Sequence, residues 1–484
     1  MGREVAPVTR SLARLVGVIL GLVVPLALAA PVAAHSLQGL YASPLPLVVY
    51  LAGAGLAVAL SFVFVLLRDR PVAVPPLGPA RDVPGWLRNG LRGIGLLGWC
   101  WIVAQAIIGG GGAADVASLF LWVYGWVAMA IVSAFVGPAW TWLDPFATLH
   151  DLGAAALRRA GVAGWQPAPY PARLAAWPAV AGFLFFVWLE LVVTGAAGGR
   201  SLGAILVGYT AITLVGMAQF GRDAWRANGE TFSVWFGTLG RLAAFAIDRR
   251  DPHGRRVRRQ PFGAGFERST WSVSLVVLVA VATGSIIYDG LSQTQAFFDV
   301  FGAPPIPVAT AILAAFLGLI VAAVLGVSRI AGLPALGAGL LPIAVGYLIA
   351  HYLTFLLGDG QRIVIAISDP FQQGWNLFGT AFYETSLGWL PSGVVWSIQL
   401  AAVVGGHMLG AWAGHQAAME AILERDPRAL ERPGAAGRLR RTQVPLAALM
   451  VGLTVLTLWS LGQNVLKEPT TPPTAAADGS LPPF

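Results

Sequence analysis

Charged side chains are scarce in this sequence. Asp, Glu, Lys and Arg make up 11% of its 484 residues and hydrophobic residues make up 56%. A soluble domain carries about 25% charged residues. So few charges exclude a water-soluble fold and place the chain among membrane proteins.

Cysteine is nearly absent as well. Cys100 is the only one and lies within an apolar stretch, so the chain can form neither an intramolecular disulfide nor a cysteine-rich metal site. The sequence also has no Walker phosphate-binding loop and no GxSxG nucleophile motif. Any bound metal would therefore have His, Asp or Glu as ligands.

Long apolar runs fill most of the chain. Each is long enough to cross a hydrocarbon core about 30 Å thick as a helix. We predict an all-α fold, a polytopic transmembrane helical bundle of about ten spans. The predicted spans are 45–67, 93–111, 116–137, 176–197, 202–220, 271–289, 305–327, 335–357, 390–415 and 444–463.

The first residues have the layout of an export signal. Three arginines precede an apolar run from Leu15 to Ala30, and small residues follow up to Ala34. We predict a cleaved signal peptide over 1–34, which makes His35 the first residue of the mature chain. An uncleaved helix is the alternative.

The two ends of the mature chain are predicted to differ in order. The transmembrane domain covers 35–463, whereas 464–484 is rich in Pro, Thr and Ala and has little apolar surface to bury. Such a composition predicts a disordered tail outside the cell.

Arginines predict the orientation in the membrane. The formal net charge is +8, but the arginines lie in alternate loops between spans, and the other loops and the tail hold only Arg200, Arg362 and Lys467. The positive-inside rule then places the arginine-rich loops in the cytoplasm and both mature termini outside the bacterial plasma membrane. The predicted partner is the lipid bilayer, and we predict no binding to nucleic acid.

Four ionisable residues fall inside predicted spans, where each costs about 2.5 to 3.5 kcal/mol on insertion scales. Glu190, Asp289 and His351 lie in the outer halves of the fourth, sixth and eighth spans, at similar depths. His407 lies deeper, in the ninth span, too far below His351 to share a metal unless a helix is tilted or broken. These residues need partners or a function.

We consider a metal-dependent site on the outer side. Imidazole and carboxylate together suit zinc or copper, and a metal-bound water can act as a nucleophile. The alternative is that these groups only hydrogen-bond neighbouring helices. The candidate catalytic residues are Glu190, Asp289 and Asp369, and the candidate metal ligands are His35, His351 and His407.

Two further segments have predicted structural roles, one in helix packing and one at the membrane interface. Gly406, Gly410 and Gly414 form a small-xxx-small ridge that lets a neighbouring helix approach closely. The stretch from Thr231 to Ile247 is predicted as an interfacial helix with Trp235 and Phe236 at the headgroup level. A short re-entrant segment is the alternative.

Several longer stretches resemble one family. They are HYLTFLLGDGQ from His351, SDPFQQGWNLFGTA, VVGGHMLGAWAGHQAAMEA, MVGLTVLTLW, and the opening AHSLQGLYASPLPLVVY. Together they resemble a family of bacterial multi-span proteins commonly named fenitrothion hydrolase, over most of the chain from His35 to Trp459. The opening reads AHS where that family has AHG. The resemblance implies organophosphate triester hydrolysis but carries over no catalytic residues.

Three functions follow as hypotheses. The first is an outward-facing, metal-dependent hydrolase that takes a small apolar phosphotriester from the outer leaflet. The second is metal handling or transport of the copper type, although six methionines and one cysteine do not suit a thioether conduit for Cu(I). The third is a non-catalytic membrane subunit in which the polar groups only fix helix packing.

Overall fold

The computed structural model describes residues 47–66, 71–73, 76–109, 115–161, 166–193, 199–248, 251, 253–261, 265 and 270–461. The predicted signal peptide over 1–34, His35 and the predicted tail over 464–484 lie outside these residues. The predictions made for them stay predictions.

The described chain is almost entirely helical. The helices are α1 Leu47–Leu66, α2 Gly85–Ile108, α3 Val116–Phe135, α4 Ala139–Leu143, α5 Pro145–Arg159, α6 Trp177–Leu191, α7 Gly199–Phe220, α8 Arg222–Asn228, α9 Thr231–Leu239, α10 Val273–Ser292, α11 Gln295–Phe301, α12 Ile306–Ala331, α13 Leu333–Gly358, α14 Ile363–Ser368, α15 Ser392–Arg425 and α16 Ala435–Leu461. Residues Leu119–Ala128 of α3 are π-helical.

Among the described residues, nine helices are long and apolar enough to cross a membrane. They coincide with the second to tenth predicted spans, and α1, a helix of 20 residues, coincides with the first. The predicted all-α polytopic fold is confirmed. The chain is an integral membrane protein.

Two helices form the centre of the bundle. In α10, 83% of the most apolar 18-residue window is buried, whereas in α12 the figure is 22%. Helix α13 is likewise buried along most of its length. Side chains on α10 and α13 therefore face other protein groups, while one face of α12 is left for lipid.

Backbone contact between α13 and α15 is very close. A Cβ atom at Gly410 would lie 2.4 Å from the carbonyl oxygen of Gly339, and one at Gly346 would lie 2.4 Å from that of Ala402. The two helices run antiparallel, because the later residue of α13 meets the earlier residue of α15. The predicted glycine ridge is confirmed as a packing surface, with Gly406 also against α13.

Helix α9 is buried within the protein. The Trp235 side chain is fully buried, with its ring stacked on Trp126 at 6.1 Å between centroids and packed on Phe183 at 5.5 Å. The predicted interfacial helix with Trp235 and Phe236 at the headgroup level is therefore wrong. The apolar ring surface is covered by α3 and α6 rather than by lipid.

Ion pairs join the helices at one end of the bundle, which we call the arginine end. Asp151 of α5 accepts hydrogen bonds from Arg92 of α2 and Arg222 of α8, each at 2.7 Å. Burial alone raises the pKa of Asp151, but hydrogen bonds from His150 and Arg92 and the charge of Arg222 outweigh it, so the pKa is below its ordinary value.

Asp144 is buried. Its carboxylate caps α5 by accepting from the backbone N–H groups of Phe146 and Ala147, and it pairs with Arg226 at 2.6 Å. A carboxylate that bonds both a helix start and an arginine can be buried at low cost.

A small sheet also lies at the arginine end. Strands β1 Arg81–Asp82, β2 Phe245–Ile247 and β3 Arg256–Arg259 are antiparallel in the order β1–β3–β2. The sequence did not predict it, because strands of two to four residues are too short for an alternating pattern.

The glycine ridge predicts a stability effect. Gly410→Ala should destabilise the protein by about 1 to 3 kcal/mol, because the new methyl group would overlap the Gly339 carbonyl oxygen and force the helices apart. Thermal unfolding in detergent measures this. The control is Gly405→Ala on the same helix, where no atom lies within 4 Å of the added Cβ. Equal stability of the two variants would contradict the packing role.

Asp151 gives a second prediction. Asp151→Asn should lower stability by about 1 kcal/mol, because it removes a carboxylate shared by two arginines. Since the folded pKa is depressed, the stabilisation persists above the ordinary pKa and disappears only as the pH falls through the lowered one. The wild type should thus keep its advantage at pH 4, as measured by thermal unfolding. Asp82→Asn, in an exposed ion pair, is the control and should change little.

Candidate functional site

A cavity of about 990 Å³ opens at the end of the bundle opposite the arginine end. We call this the cavity end. Helices α3, α6, α10 and α13 form its walls, and the loop between α14 and α15 forms part of its rim. Its polar lining residues include Ser118, Glu190, Asp289, Gln293, His351 and Tyr352.

The centre of the site is a pair formed by a carboxylate and an imidazole. Nε2 of His351 lies 2.8 Å from Oδ2 of Asp289. The two side chains are 16% and 13% exposed, so they are mostly desolvated yet border the cavity. An ion or hydrogen-bond pair at this depth meets the requirement that a polar group among spans has a partner.

Tyr352 connects this pair to a second carboxyl group. Its hydroxyl oxygen lies 2.9 Å from Oδ2 of Asp289 and 3.4 Å from Oε1 of Glu190. The side chain of Gln293 donates to Oδ1 of Asp289 at 2.7 Å. Glu190, Tyr352, Asp289 and His351 therefore form one continuous hydrogen-bonded chain, which we call the polar chain.

The helix directions explain why these residues meet. Helices α6, α10 and α13 all run from the arginine end to the cavity end, and Glu190, Asp289 and His351 each lie within about two turns of the helix end. Their shared depth was read from the sequence, but their convergence was not. It results from α10 and α13 being neighbours at the centre of the bundle.

Sequence reasoning missed Tyr352 and Gln293. Tyr352 is one aromatic residue among many in an apolar span. Gln293 lies one helical turn beyond Asp289, a spacing at which side chains meet. That spacing was a usable signal, whereas nothing in the sequence showed that Tyr352 faces two carboxyl groups.

Asp369 does not line the cavity. Its carboxylate accepts hydrogen bonds from the backbone N–H groups of Gln373 and Gly374, both at 2.8 Å, and so fixes a turn. The predicted catalytic role of Asp369 stays a prediction that none of these contacts supports.

His407 is fully buried between α13 and α15, apart from the cavity. Its Nδ1 lies 2.8 Å from the carbonyl oxygen of Val403, and its Nε2 lies 3.1 Å from the hydroxyl oxygen of Tyr347. Nδ1–H therefore donates to Val403, and Nε2 accepts from Tyr347. The contacts give His407 a packing role, and its predicted metal-binding role stays a prediction.

The predicted zinc or copper site stays a prediction. Within the described ranges, no group of three or more His, Cys, Asp or Glu is placed to hold a metal ion. Nε2 of His351 and Oδ2 of Asp289 bond each other directly, and a shared ion would have to lie between them. His35, the third proposed ligand, is outside the described chain.

Comparisons with protein-family models, with curated proteins and with solved structures find no match to this chain. The resemblance to the fenitrothion hydrolase family therefore stays a prediction.

Access to the cavity can be tested by cysteine labelling. In a Cys100→Ser background, Thr354→Cys, which lines the cavity, should react with a membrane-impermeant maleimide added to intact cells. Ala350→Cys, one turn deeper and fully buried, should not react. Glu431→Cys, in the arginine-rich loop between α15 and α16, should react only after permeabilisation. Labelling is measured as a mass shift. Reaction of Glu431→Cys in intact cells and of Thr354→Cys only after permeabilisation would show that the predicted orientation in the membrane is wrong.

Proposed function

We propose that this chain is an integral membrane hydrolase that binds a small, uncharged and mostly apolar ester in the cavity. Phosphoric triesters are the first class to test. The observation that carries this proposal is the polar chain, a carboxylate–imidazole pair connected through Tyr352 to Glu190, placed on the wall of a cavity large enough for a substrate.

The cavity suits such a substrate in size and lining. Its volume of about 990 Å³ is at the upper end of the range of about 300 to 1,000 Å³ typical of small-molecule sites. Trp122, Leu189 and Phe355 provide apolar wall next to the polar chain. An uncharged ester with apolar substituents matches this combination.

His351 is the proposed general base. In its neutral form the ring donates Nε2–H to Asp289, which fixes the tautomer and leaves the lone pair on Nδ1. Nδ1 then takes a proton from water as the water oxygen bonds to phosphorus and the bond from phosphorus to the leaving oxygen breaks. Asp289 stabilises the imidazolium that results, as a carboxylate does in a catalytic triad.

Glu190 is the proposed general acid. It gives a proton to the leaving oxygen, so that an alcohol or phenol departs rather than an anion. The proton taken up at Nδ1 of His351 passes to water in the cavity, and Glu190 takes up a proton from the same water. Tyr352, whose hydroxyl oxygen is within hydrogen-bond distance of Asp289 and Glu190, holds the two carboxyl groups in position. The cycle then closes with protons balanced.

The proposed steps use only water and side chains of the polar chain. Metal handling, the alternative read from the sequence, stays a prediction: among the described residues, no group of three or more His, Cys, Asp or Glu is placed to hold a metal ion. If no hydrolysis is detected, the remaining hypothesis is a non-catalytic membrane subunit.

The assay uses purified protein in detergent and a dialkyl 4-nitrophenyl phosphate, whose hydrolysis releases a coloured phenolate. We expect turnover above background, and a loss of at least about 100-fold in His351→Gln and in Asp289→Asn, because each removes the base or its orienting partner. Tyr352→Phe should cost less, since it removes only a hydroxyl that positions Asp289 and Glu190.

The matched control is His253→Gln. His253 lies at the arginine end, where it contacts Arg222, and its loss should leave turnover unchanged. Folding of every variant is checked by gel filtration and thermal unfolding. Absence of turnover by folded wild type on all triesters tried, or full activity of both His351→Gln and Asp289→Asn, would reject the proposal.

A further inference from the structure

A loop that contributes to the rim of the cavity carries exposed apolar side chains. They belong to the loop 370–391 between α14 and α15, in which Phe382 is 90% exposed. The same loop lines the rim through Thr385, Ser386 and Leu387. The large exposed apolar and aromatic residues of the loop are Trp375, Leu377, Phe378, Phe382, Tyr383 and Trp389.

The loop is held in place by hydrogen bonds, so this exposure is built into the fold. Asp369 fixes its first turn. Further along, Gln361 donates to the carbonyl oxygen of Ser386 at 2.9 Å and accepts from its backbone N–H at 3.2 Å. Thr380 donates to the carbonyl oxygen of Val364 at 2.7 Å.

A second exposed apolar segment follows a residue that lines the cavity. Helix α11 follows Gln293, which lines the cavity, and none of its residues is buried. Phe298, Val300 and Phe301 are all exposed. We call the exposed apolar residues of loop 370–391 and of α11 together the mouth surface.

The mouth surface continues directly into the exposed faces of membrane spans. After Phe301 the chain enters α12, where Ile306 and Val308 are exposed, and after Trp389 it enters α15, where Val394 is exposed. Charges are few: the loop after α14 holds Asp369 and Glu384, and α11 holds Asp299. Tryptophan and other aromatic residues at the ends of spans are typical of the membrane–water interface.

We propose that the mouth surface docks into the headgroup region of the bilayer, so that the cavity opens at the lipid interface rather than into bulk water. The substrate class that follows is an amphiphilic or apolar ester that has partitioned into the membrane. This last step rests on the proposed hydrolase function, whereas the docking does not.

The docking is tested by spin labelling of protein reconstituted in phosphatidylcholine and phosphatidylglycerol vesicles. Labels are placed at Phe382→Cys and Phe298→Cys in a Cys100→Ser background, and power saturation compares collisions with oxygen and with a water-soluble nickel chelate. Leu319→Cys, on the lipid-facing side of α12, is the lipid reference. Glu431→Cys, exposed between α15 and α16, is the aqueous reference.

We expect both labels to resemble the Leu319 label, with oxygen collisions several-fold more frequent than nickel collisions. Nickel collisions at the level of the Glu431 label would overturn the proposal, since the mouth surface would then face water. Shielding from both reagents would also overturn it, and would show that protein, such as a second copy of the chain, covers the surface.

The substrate route is tested by Phe378→Ser/Phe382→Ser. For a long-chain triester in vesicles, KM expressed as mole fraction should rise several-fold with kcat unchanged, while a short-chain, water-soluble triester should show no change in either. An equal KM for the long-chain ester would overturn the lipid route. If the wild type shows no turnover, the proposed hydrolase function is rejected. The spin-label result would still test whether the mouth surface docks into the bilayer.

Discussion

The site depends on one constraint: a polar side chain between membrane spans must find its partner within the protein. Lipid offers no hydrogen bonds, so an unpaired carboxylate or imidazole at this depth is costly. Asp289 meets the constraint with three described partners, His351, Tyr352 and Gln293. A residue held from three directions has little freedom, and this preorganisation is what a proton-transfer site needs.

The close contact of α13 with α15 supplies the geometry. With carbonyl oxygens of one helix against glycines of the other, α13 cannot slide or rotate without a collision. His351 and Tyr352 of α13 therefore have a fixed position along the bundle axis relative to α10. A hydrophobic interface could not do this alone, because lipid tails are as apolar as leucine and give no preference for protein contact.

The sequence predicted the parts of this arrangement that have a long-range pattern. Apolar run length located the spans, the Gly406 ridge indicated a close contact, and helix direction placed Glu190, Asp289 and His351 at one depth. What it could not predict depends on helix order around the bundle. Tyr352 faces two carboxyl groups, and Trp235 is buried rather than interfacial. Each of these depends on which helices are neighbours, and span lengths do not contain that information.

The packing beneath the polar chain distinguishes a site reached from one end of the bundle from a conduit through it. Tyr347, Ala350 and Ile287 are almost completely buried, and the next polar pair inward, Tyr347 with His407, bonds within the α13–α15 contact. A conduit would need this contact to open, which the glycine ridge opposes because the backbones already touch. A site reached from one end needs no such movement. The same rigidity that holds His351 against Asp289 therefore favours chemistry at the cavity end over passage through the bundle.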